Sequence, residues 1–278
     1  MIPFYTIAAP AKINLSLRII AKREDGYHDL ESLVGFADFG DVLRFEIAPK
    51  DSIAIDGEFA RLAPGNPDNL ILKTLDKLRA SAPDLPNFHI HLQKNIPVGG
   101  GVGGGSADAA SVIRFVRDYY SDLFKPGFNW MDLARNIGAD VPVCVESKPC
   151  IMRGVGEKIE FTSNFAPKRG VLLFPNISVP TKNIFAAWNG KSRVKTIHPT
   201  TQFNNDNDLF TPAALIHPEL GAIANKLAKT THKGWGMSGS GSCFYLLAED
   251  TKAQQQLLGD VRNLFPDYWI KPIVIAGN

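Results

Sequence analysis

Alternation of apolar and polar residues marks strands in the first half of the chain, and helical spacing marks helices. A period of two predicts strands at residues 11–20, 42–47 and 88–92. In the first of these segments one face carries Ile13, Leu15, Leu17 and Ile19 and the other is polar, the pattern of a half-buried strand. Helical spacing of apolar residues predicts helices at residues 69–80, 106–123 and 129–137.

The second half of the chain shows the same mixture of elements. The pattern predicts a strand, a helix, a strand, a helix and a final strand at residues 171–174, 218–229, 243–247, 254–265 and 270–276. Residues 184–214 are polar and carry no clear period, so no element is assigned there. Strands and helices in this order predict an α+β protein with two domains.

A glycine-rich loop separates the strand pattern at residues 88–92 from the helix that follows. Six of the seven residues from 99 to 105 are glycine. Glycine has no side chain to shield the main chain, so a polyphosphate can approach the N–H groups of this loop closely. Ser106 is expected as the N-cap of the next helix, whose positive end would face the phosphates. This context predicts a nucleotide phosphate site rather than a flexible glycine linker.

The loop differs from the two common nucleotide-binding signatures. It lacks the Lys-Ser/Thr ending of the usual P-loop. Gly99, Gly101 and Gly104 satisfy the spacing of the dinucleotide fingerprint, but no second strand ending in an acid follows. A dinucleotide-binding oxidoreductase is therefore disfavoured.

Composition limits the remaining function classes. The chain has 278 residues and a net charge of +2, too small for a nucleic-acid or membrane footprint. No apolar run approaches the ~20 residues of a membrane span and no signal-like segment begins the chain, so we expect a cytoplasmic protein. Cys144, Cys150 and Cys243 are odd in number and lack metal-ligand spacing, which predicts neither a disulfide framework nor a metal site.

Three separated motifs carry a resemblance to a known family. They are residues 10–15 (Pro-Ala-Lys-Ile-Asn-Leu) with Gly26-Tyr27-His28 downstream, the loop at residues 97–110, and residues 237–243 (Met-Ser-Gly-Ser-Gly-Ser-Cys). In this order they resemble the signature motifs of the GHMP kinases, the superfamily of galactokinase, homoserine kinase, mevalonate kinase and phosphomevalonate kinase. The resemblance implies an ATP-binding N-terminal domain at residues 1–158 with a left-handed β-α-β unit. It also implies a C-terminal α/β sandwich-like domain at residues 159–278, with the active site in the cleft between the two.

Four further motifs, at residues 23–28, 138–142, 154–157 and 179–181, resemble one branch of this superfamily. The branch implies a kinase that uses ATP and Mg²⁺ to phosphorylate the 2-hydroxyl of a cytidine diphosphate-linked methylerythritol, in the non-mevalonate route to isoprenoids. Three alternatives stay open: a GHMP kinase with a mevalonate, homoserine or sugar acceptor, a catalytically silent nucleotide-binding module, and the disfavoured oxidoreductase. The expected partner is this small molecule, without nucleic acid or membrane, in a monomer or homodimer.

The resemblance also implies roles for two charged residues. Asp140 is expected to accept the proton of the substrate hydroxyl, and Lys12 to lie beside it and stabilise the transferred phosphoryl group. By their own sequence patterns, Asp140 also fits a capping or turn aspartate after Gly138. Lys12 fits the solvated face of its strand.

The remaining candidate residues bind the two substrates. By resemblance, Tyr27 and Phe185 stack on the cytosine ring, His28 hydrogen-bonds its edge, Asn14 contacts the substrate near the transferred group, and Thr181 touches the substrate or Lys12. A core aromatic is the rival interpretation of Phe185. The resemblance assigns the ATP phosphates to the loop residues Pro97, Val98, Gly99, Gly100, Gly101, Val102, Gly103, Gly104, Gly105, Ser106 and Ala107, with Ser106 also suited to Mg²⁺.

Overall fold

The structure, a computed structural model, describes residues 4–63, 68–163, 165–194, 205–230 and 234–275. Its strands are β1 (Tyr5–Lys22), β2 (His28–Ile47), β3 (Ser52–Asp56), β4 (Phe88–Gln93), β5 (Cys150–Gly154), β6 (Lys158–Phe161), β7 (Lys168–Phe174), β8 (Trp235–Met237), β9 (Phe244–Ala248) and β10 (Trp269–Ile275). Its helices are α1 (Leu70–Ser81), α2 (Gly104–Tyr120), α3 (Trp130–Arg135), α4 (Val141–Glu146), α5 (Thr181–Ala186), α6 (Phe210–Ile216), α7 (Pro218–Leu227) and α8 (Thr251–Leu264). Within these ranges, no helix combines the length and apolarity of a membrane span.

The chain divides into two units, and the long strands β1 and β2 each contribute residues to both. The first unit comprises the chain up to Ala11, Gly40–Val98 and Gly103–Ser147. The second comprises Lys12–Phe39, Gly99–Val102 and the chain from Lys148 onward. The boundary between the two family domains that the sequence predicts at residue 158 stays a prediction.

The first unit is a mixed sheet with helices. β3 runs parallel to β4 and α1 connects them, which makes a β-α-β unit, while β4 pairs antiparallel with the second half of β2. Helix α1 begins where Asn69 Oδ1 accepts the Ile71 N–H at 2.9 Å, an N-cap that satisfies one of the unpaired donors of the first turn. Phe115 of α2 stacks on Phe45 of β2 with ring centroids 4.0 Å apart, in the apolar core of this unit.

The second unit is built on antiparallel strands. β7 lies between β10 and β9, and β8 pairs with β9. The first half of β2 pairs with β5, which continues to β6. Helix α8 packs on this sheet, where buried Gln254 donates from Nε2 to the carbonyl oxygens of Gly170 and Ile273, each at 2.8 Å. The aliphatic and aromatic core of the unit includes Leu173, Phe244 and Leu257.

Most predicted elements are confirmed within a few residues, and two expectations about them are wrong. The strand predicted at residues 11–20 belongs to β1, but residues 11–17 are buried on both faces rather than half-buried. The helix predicted from Ser106 begins at Gly104, and its N-cap is Gly103 in the left-handed region at φ 68°. Glycine takes this conformation at little cost, whereas serine would be strained there.

Several elements were not predicted at all. Strand β3, helix α4 and the hairpin of β5 and β6 are elements of only four to six residues each, too short to define a period. Helices α5 and α6 overlap the two ends of the segment at residues 184–214, where short helices leave little periodic signal. Residues 195–204 of that segment lie outside the described residues.

Candidate active site

Residues 99–102 of the glycine loop belong to the second unit and turn their carbonyl oxygens toward it. Gly99 O accepts from Val179 N at 3.0 Å and Gly100 O from Cys243 N at 2.9 Å. Gly101 O accepts from the Ser238 hydroxyl at 2.9 Å, and Val102 O accepts from Lys12 N at 3.0 Å. Among the described residues, none accepts the N–H groups of these four residues. This row of free donors is suited to an anion.

Residues 103–107 of the loop belong to the first unit and form the start of α2. Ala107 N, which donates to Gly103 O at 2.8 Å, is the first backbone donor of α2 that has an acceptor. The N–H groups of residues 104–106 have none in the described ranges. Ser106 lies in the first turn and is half-buried. The helix is 17 residues long, so its positive end adds to the attraction of these N–H groups for phosphate.

Two close main-chain approaches require glycine, one in the loop and one in the third motif. Gly101 has φ +73°, and a Cβ on it would clash with the carbonyl oxygen of Ser238. Gly239, in the third motif, has φ +56°, and a Cβ there would lie 2.9 Å from Gly101 O. The loop and the turn at residues 238–242 are therefore packed main chain against main chain.

The polar face of β1 is buried in the second unit. Lys12 and Asn14 have exposed fractions of only 3% and 1%. Asn14 donates its backbone N–H to the Ser238 hydroxyl at 3.0 Å and its side-chain amide to the Ser32 hydroxyl at 2.7 Å. The solvated-face interpretation of Lys12 is therefore wrong. Asn14 Oδ1 is buried and has no hydrogen-bond partner among the described residues, so it is available to a donor on a ligand.

An aromatic group surrounds His28 in the second unit. The centroid of the His28 ring lies 5.2 Å from that of Phe185 and 5.6 Å from that of Trp188. Burial, and secondarily the charge of Lys22, lowers the pKa of His28, so its imidazole is neutral at neutral pH. A neutral imidazole has one donor and one acceptor nitrogen. Tyr27, the preceding residue, is 59% exposed and thus open to a ligand.

The structure places the two remaining candidate residues at helix starts. Thr181 begins α5, and its hydroxyl lies 2.9 Å from the Ser240 hydroxyl of the third motif. Asp140, in the first unit, is half-buried at the N-cap position of α4. Its side chain makes no capping hydrogen bond, so the capping interpretation does not account for it.

Three residues of this site were not among the candidates named from the sequence. Ser238 joins Asn14 to the loop, and buried Asn207 donates to the carbonyl oxygens of Met237 and Gly239, both at 2.8 Å. Asn207 lies in the segment without a period, where nothing in the sequence distinguishes it. Trp188 ends the apolar run at residues 184–188, which indicated only a core segment.

The cysteine thiols are not reactive groups of this arrangement. All three are free and buried. Burial raises the pKa of the Cys150 thiol to about 12, although the Lys12 charge opposes the shift, so the thiol stays protonated. In the part of the chain that the structure describes, no cluster of three or more His, Cys, Asp or Glu side chains is arranged to hold a metal.

Comparison with known proteins gives concordant results. The family "GHMP kinases N terminal domain" matches residues 69–148, and "GHMP kinases C terminal" matches residues 191–267. The 4-diphosphocytidyl-2-C-methyl-D-erythritol kinase of Rhizobium etli is 38% identical over 96% of this chain and 93% of its own length. The enzyme of the same name from Novosphingobium aromaticivorans is 41% identical over 90% of this chain and 86% of its own.

A solved structure extends the likeness to the fold. The crystal structure of a 4-(cytidine 5'-diphospho)-2C-methyl-D-erythritol kinase superposes with a TM-score of 0.80 at 29% identity, covering 98% of this chain and all of that one. The two-domain α+β fold is therefore that of this family, and the protein is an ATP-dependent small-molecule kinase. The chain belongs to the GHMP kinases, in the family of its 4-diphosphocytidyl-2-C-methyl-D-erythritol kinase relatives.

Proposed function

We propose that the protein transfers the γ-phosphate of ATP to the 2-hydroxyl of 4-diphosphocytidyl-2-C-methyl-D-erythritol, in the non-mevalonate pathway of isoprenoid synthesis. The aromatic group of His28 and Phe185 beside exposed Tyr27 carries this proposal. Flat aromatic faces next to a neutral imidazole suit a pyrimidine base, whereas mevalonate, homoserine and sugars have no flat ring to stack.

The glycine loop is the proposed site of the ATP phosphates. The unpaired N–H groups of residues 99–106 and the positive end of α2 support this role. Pro97, Val98 and Ala107 flank these donors and complete the proposed segment. Ser106 lies half-buried in the first turn of α2, and its hydroxyl is our candidate contact for the Mg²⁺ that accompanies ATP. Mg²⁺ keeps most of its water ligands, so one or two protein contacts are sufficient for it.

Phosphoryl transfer to an alcohol requires an acceptor for its proton and positive charge around the phosphate. The substrate oxygen forms a bond to the γ-phosphorus, the bond from that phosphorus to the β–γ bridging oxygen breaks, and ADP leaves. We assign acceptance of the hydroxyl proton to the Asp140 carboxylate and stabilisation of the transferred group to the Lys12 ammonium. The orphaned Asn14 Oδ1 is suited to accept a hydrogen bond from a substrate hydroxyl.

The nucleoside end of the acceptor is assigned to a second set of residues. Tyr27 and Phe185 would stack on the cytosine ring and His28 would hydrogen-bond its edge, while Thr181 is held by Ser240 at the start of α5. The location in the cytoplasm, the choice between monomer and homodimer, and the absence of nucleic-acid and membrane partners stay predictions.

The test is ADP release by the purified protein with ATP and Mg²⁺. The cytidine compound is offered in parallel with mevalonate, homoserine and galactose. We expect turnover with the cytidine compound alone. Turnover with another acceptor would keep the phosphoryl-transfer roles of Lys12 and Asp140 and contradict the cytosine pocket. Tight ATP binding without turnover of any acceptor would favour a silent nucleotide-binding module.

A further inference from the structure

The indole of Trp188 has a buried hydrogen-bond donor with nothing to donate to. Its Nε1 atom is inaccessible to solvent and has no partner among the described residues. A buried donor without an acceptor is costly, and most buried indole N–H groups in proteins find a partner. The missing acceptor is therefore to be sought in a ligand.

The position of Trp188 indicates which ligand this is. Its ring meets that of His28 nearly at right angles, with an interplanar angle of 83° and centroids 5.6 Å apart. Phe185, three residues earlier, lies on the same imidazole at 5.2 Å. Both aromatic residues pack against the core of the second unit, which fixes their places. Trp188 thus belongs to the same group of side chains to which we assign the nucleoside.

We propose that Trp188 is a specificity-determining residue, whose indole N–H donates to an acceptor atom of the pyrimidine nucleoside diphosphate portion of the substrate. This inference rests on the proposed function. A pyrimidine of the cytosine type offers a carbonyl oxygen and a ring nitrogen as acceptors, and a diphosphate offers further oxygens. The N–H would discriminate against acceptor substrates that lack such a group, because its partner would then be missing.

The substitution W188F tests this directly, because phenylalanine keeps an aromatic ring beside His28 and removes only the N–H donor with the second ring. The matched control is W130F, since Trp130 packs among Phe124 and Phe128 of the first unit and is not one of the residues that we assign to a substrate. Cytidine diphosphate is the probe, titrated calorimetrically into each protein, and the KM values for the cytidine acceptor and for ATP are measured beside it.

For W188F we expect the dissociation constant of cytidine diphosphate and the KM of the cytidine acceptor to rise by about three- to tenfold, the effect of one hydrogen bond. The KM of ATP should stay at its wild-type value, as a merely structural role would not allow. The intrinsic fluorescence of wild type and W130F should change with cytidine diphosphate, and that of W188F should not.

Unchanged affinity of W188F for cytidine diphosphate, in an enzyme whose wild type binds it, would overturn the inference and leave the proposed function standing. A wild-type protein that neither binds cytidine diphosphate nor phosphorylates the cytidine acceptor would overturn the proposed function, and the inference with it.

Discussion

The ammonium group of Lys94 lies 2.6 Å from Asp108 Oδ2, and both side chains are buried in the first unit. The same ammonium lies 2.5 Å from Asp41 Oδ2. Asp41 Oδ1 in turn accepts the backbone N–H groups of Asn95 at 2.6 Å and Ile96 at 2.7 Å. This buried ionic group therefore ties the chain that enters the glycine loop to helix α2, which leaves it.

The charge balance of this group makes the stability of the protein depend on pH. Burial raises the pKa of Asp108 to about 8, against the opposing charge of Lys94 and with the support of Asp41. The folded state thus holds a proton that the unfolded state, with the ordinary value of 3.8, releases. This stabilisation is fully present below pH 3.8, the ordinary pKa of the group. It is lost as the pH rises from there through about 8, the raised pKa in the folded state. We expect the free energy of unfolding, measured with urea, to fall across this interval.

The variant D108N removes this titration, so its free energy of unfolding should vary less with pH than that of wild type. D118N is the matched control, because Asp118 lies on the same helix but is exposed. It should keep the wild-type pH dependence. If the free energy of unfolding varied with pH equally in D108N and wild type, Asp108 would not carry the proton.

The conformation of the glycine loop predicts that Gly101 tolerates no side chain. In G101A the alanine would be strained at φ +73° and its Cβ would clash with the Ser238 carbonyl oxygen. We expect the free loop of G101A to relax away from this conformation. The dissociation constant of ATP, measured by equilibrium titration, should then rise about tenfold or more, because binding must restore a left-handed backbone that costs about 1–2 kcal/mol.

Gly127 provides a control for backbone strain. It has φ +77°, close to that of Gly101, but nothing lies within 4 Å of a Cβ built on it. The free energy of unfolding of G127A, measured with urea, should therefore fall by a comparable amount, while its ATP affinity stays unchanged. Equal ATP affinities for G101A and G127A would argue against the loop as the phosphate site.

The sequence predicted the phosphate loop because its evidence is local. Glycine content, the strand before it and the helix after it all lie within residues 88–123, and each rests on backbone properties that need no tertiary information. The same holds for α1, where Asn69 and the apolar period define the helix together. The predicted N-cap of α2, Ser106, was wrong because both serine and glycine fit an N-cap. Only the geometry of the turn selects Gly103.

The polar face of β1 could not be understood from the sequence. Alternation shows that Lys12, Asn14 and Ser16 share a face, but polar residues alternate in the same way whether water or buried partners cover that face. The side-chain amide of Asn14 donates to Ser32, and the backbone N–H groups of Asn14 and Lys12 donate to Ser238 and to the loop carbonyl of Val102. These partners are distant along the chain. Asp108 was equally undefined, because its partner Lys94 is revealed only when β4 and α2 are folded.

Replacement of Asp140 tests the proposed proton acceptor. An amide cannot take the hydroxyl proton, so D140N should lower kcat by about 10²–10⁴-fold, the usual contribution of general base catalysis. ATP affinity should stay close to wild type, because the phosphates are assigned to the loop. D122N, at an exposed aspartate of the same unit, should keep full activity. Wild-type turnover by D140N would remove Asp140 from the reaction.

The proposed cytosine pocket predicts a loss of acceptor affinity without a loss of ATP affinity. Base stacking on an aromatic side chain contributes about 1–3 kcal/mol, so Y27L should raise the KM of the cytidine acceptor by about 5- to 150-fold. Tyr119, which is 52% exposed on α2 in the first unit, gives the control Y119L, with no change expected in either KM. Because Tyr27 is largely exposed, its loss should hardly change the melting temperature, which separates binding from folding. An unchanged acceptor KM in Y27L would place the base elsewhere, and a parallel rise in the KM of ATP would indicate damage to the fold rather than to the pocket.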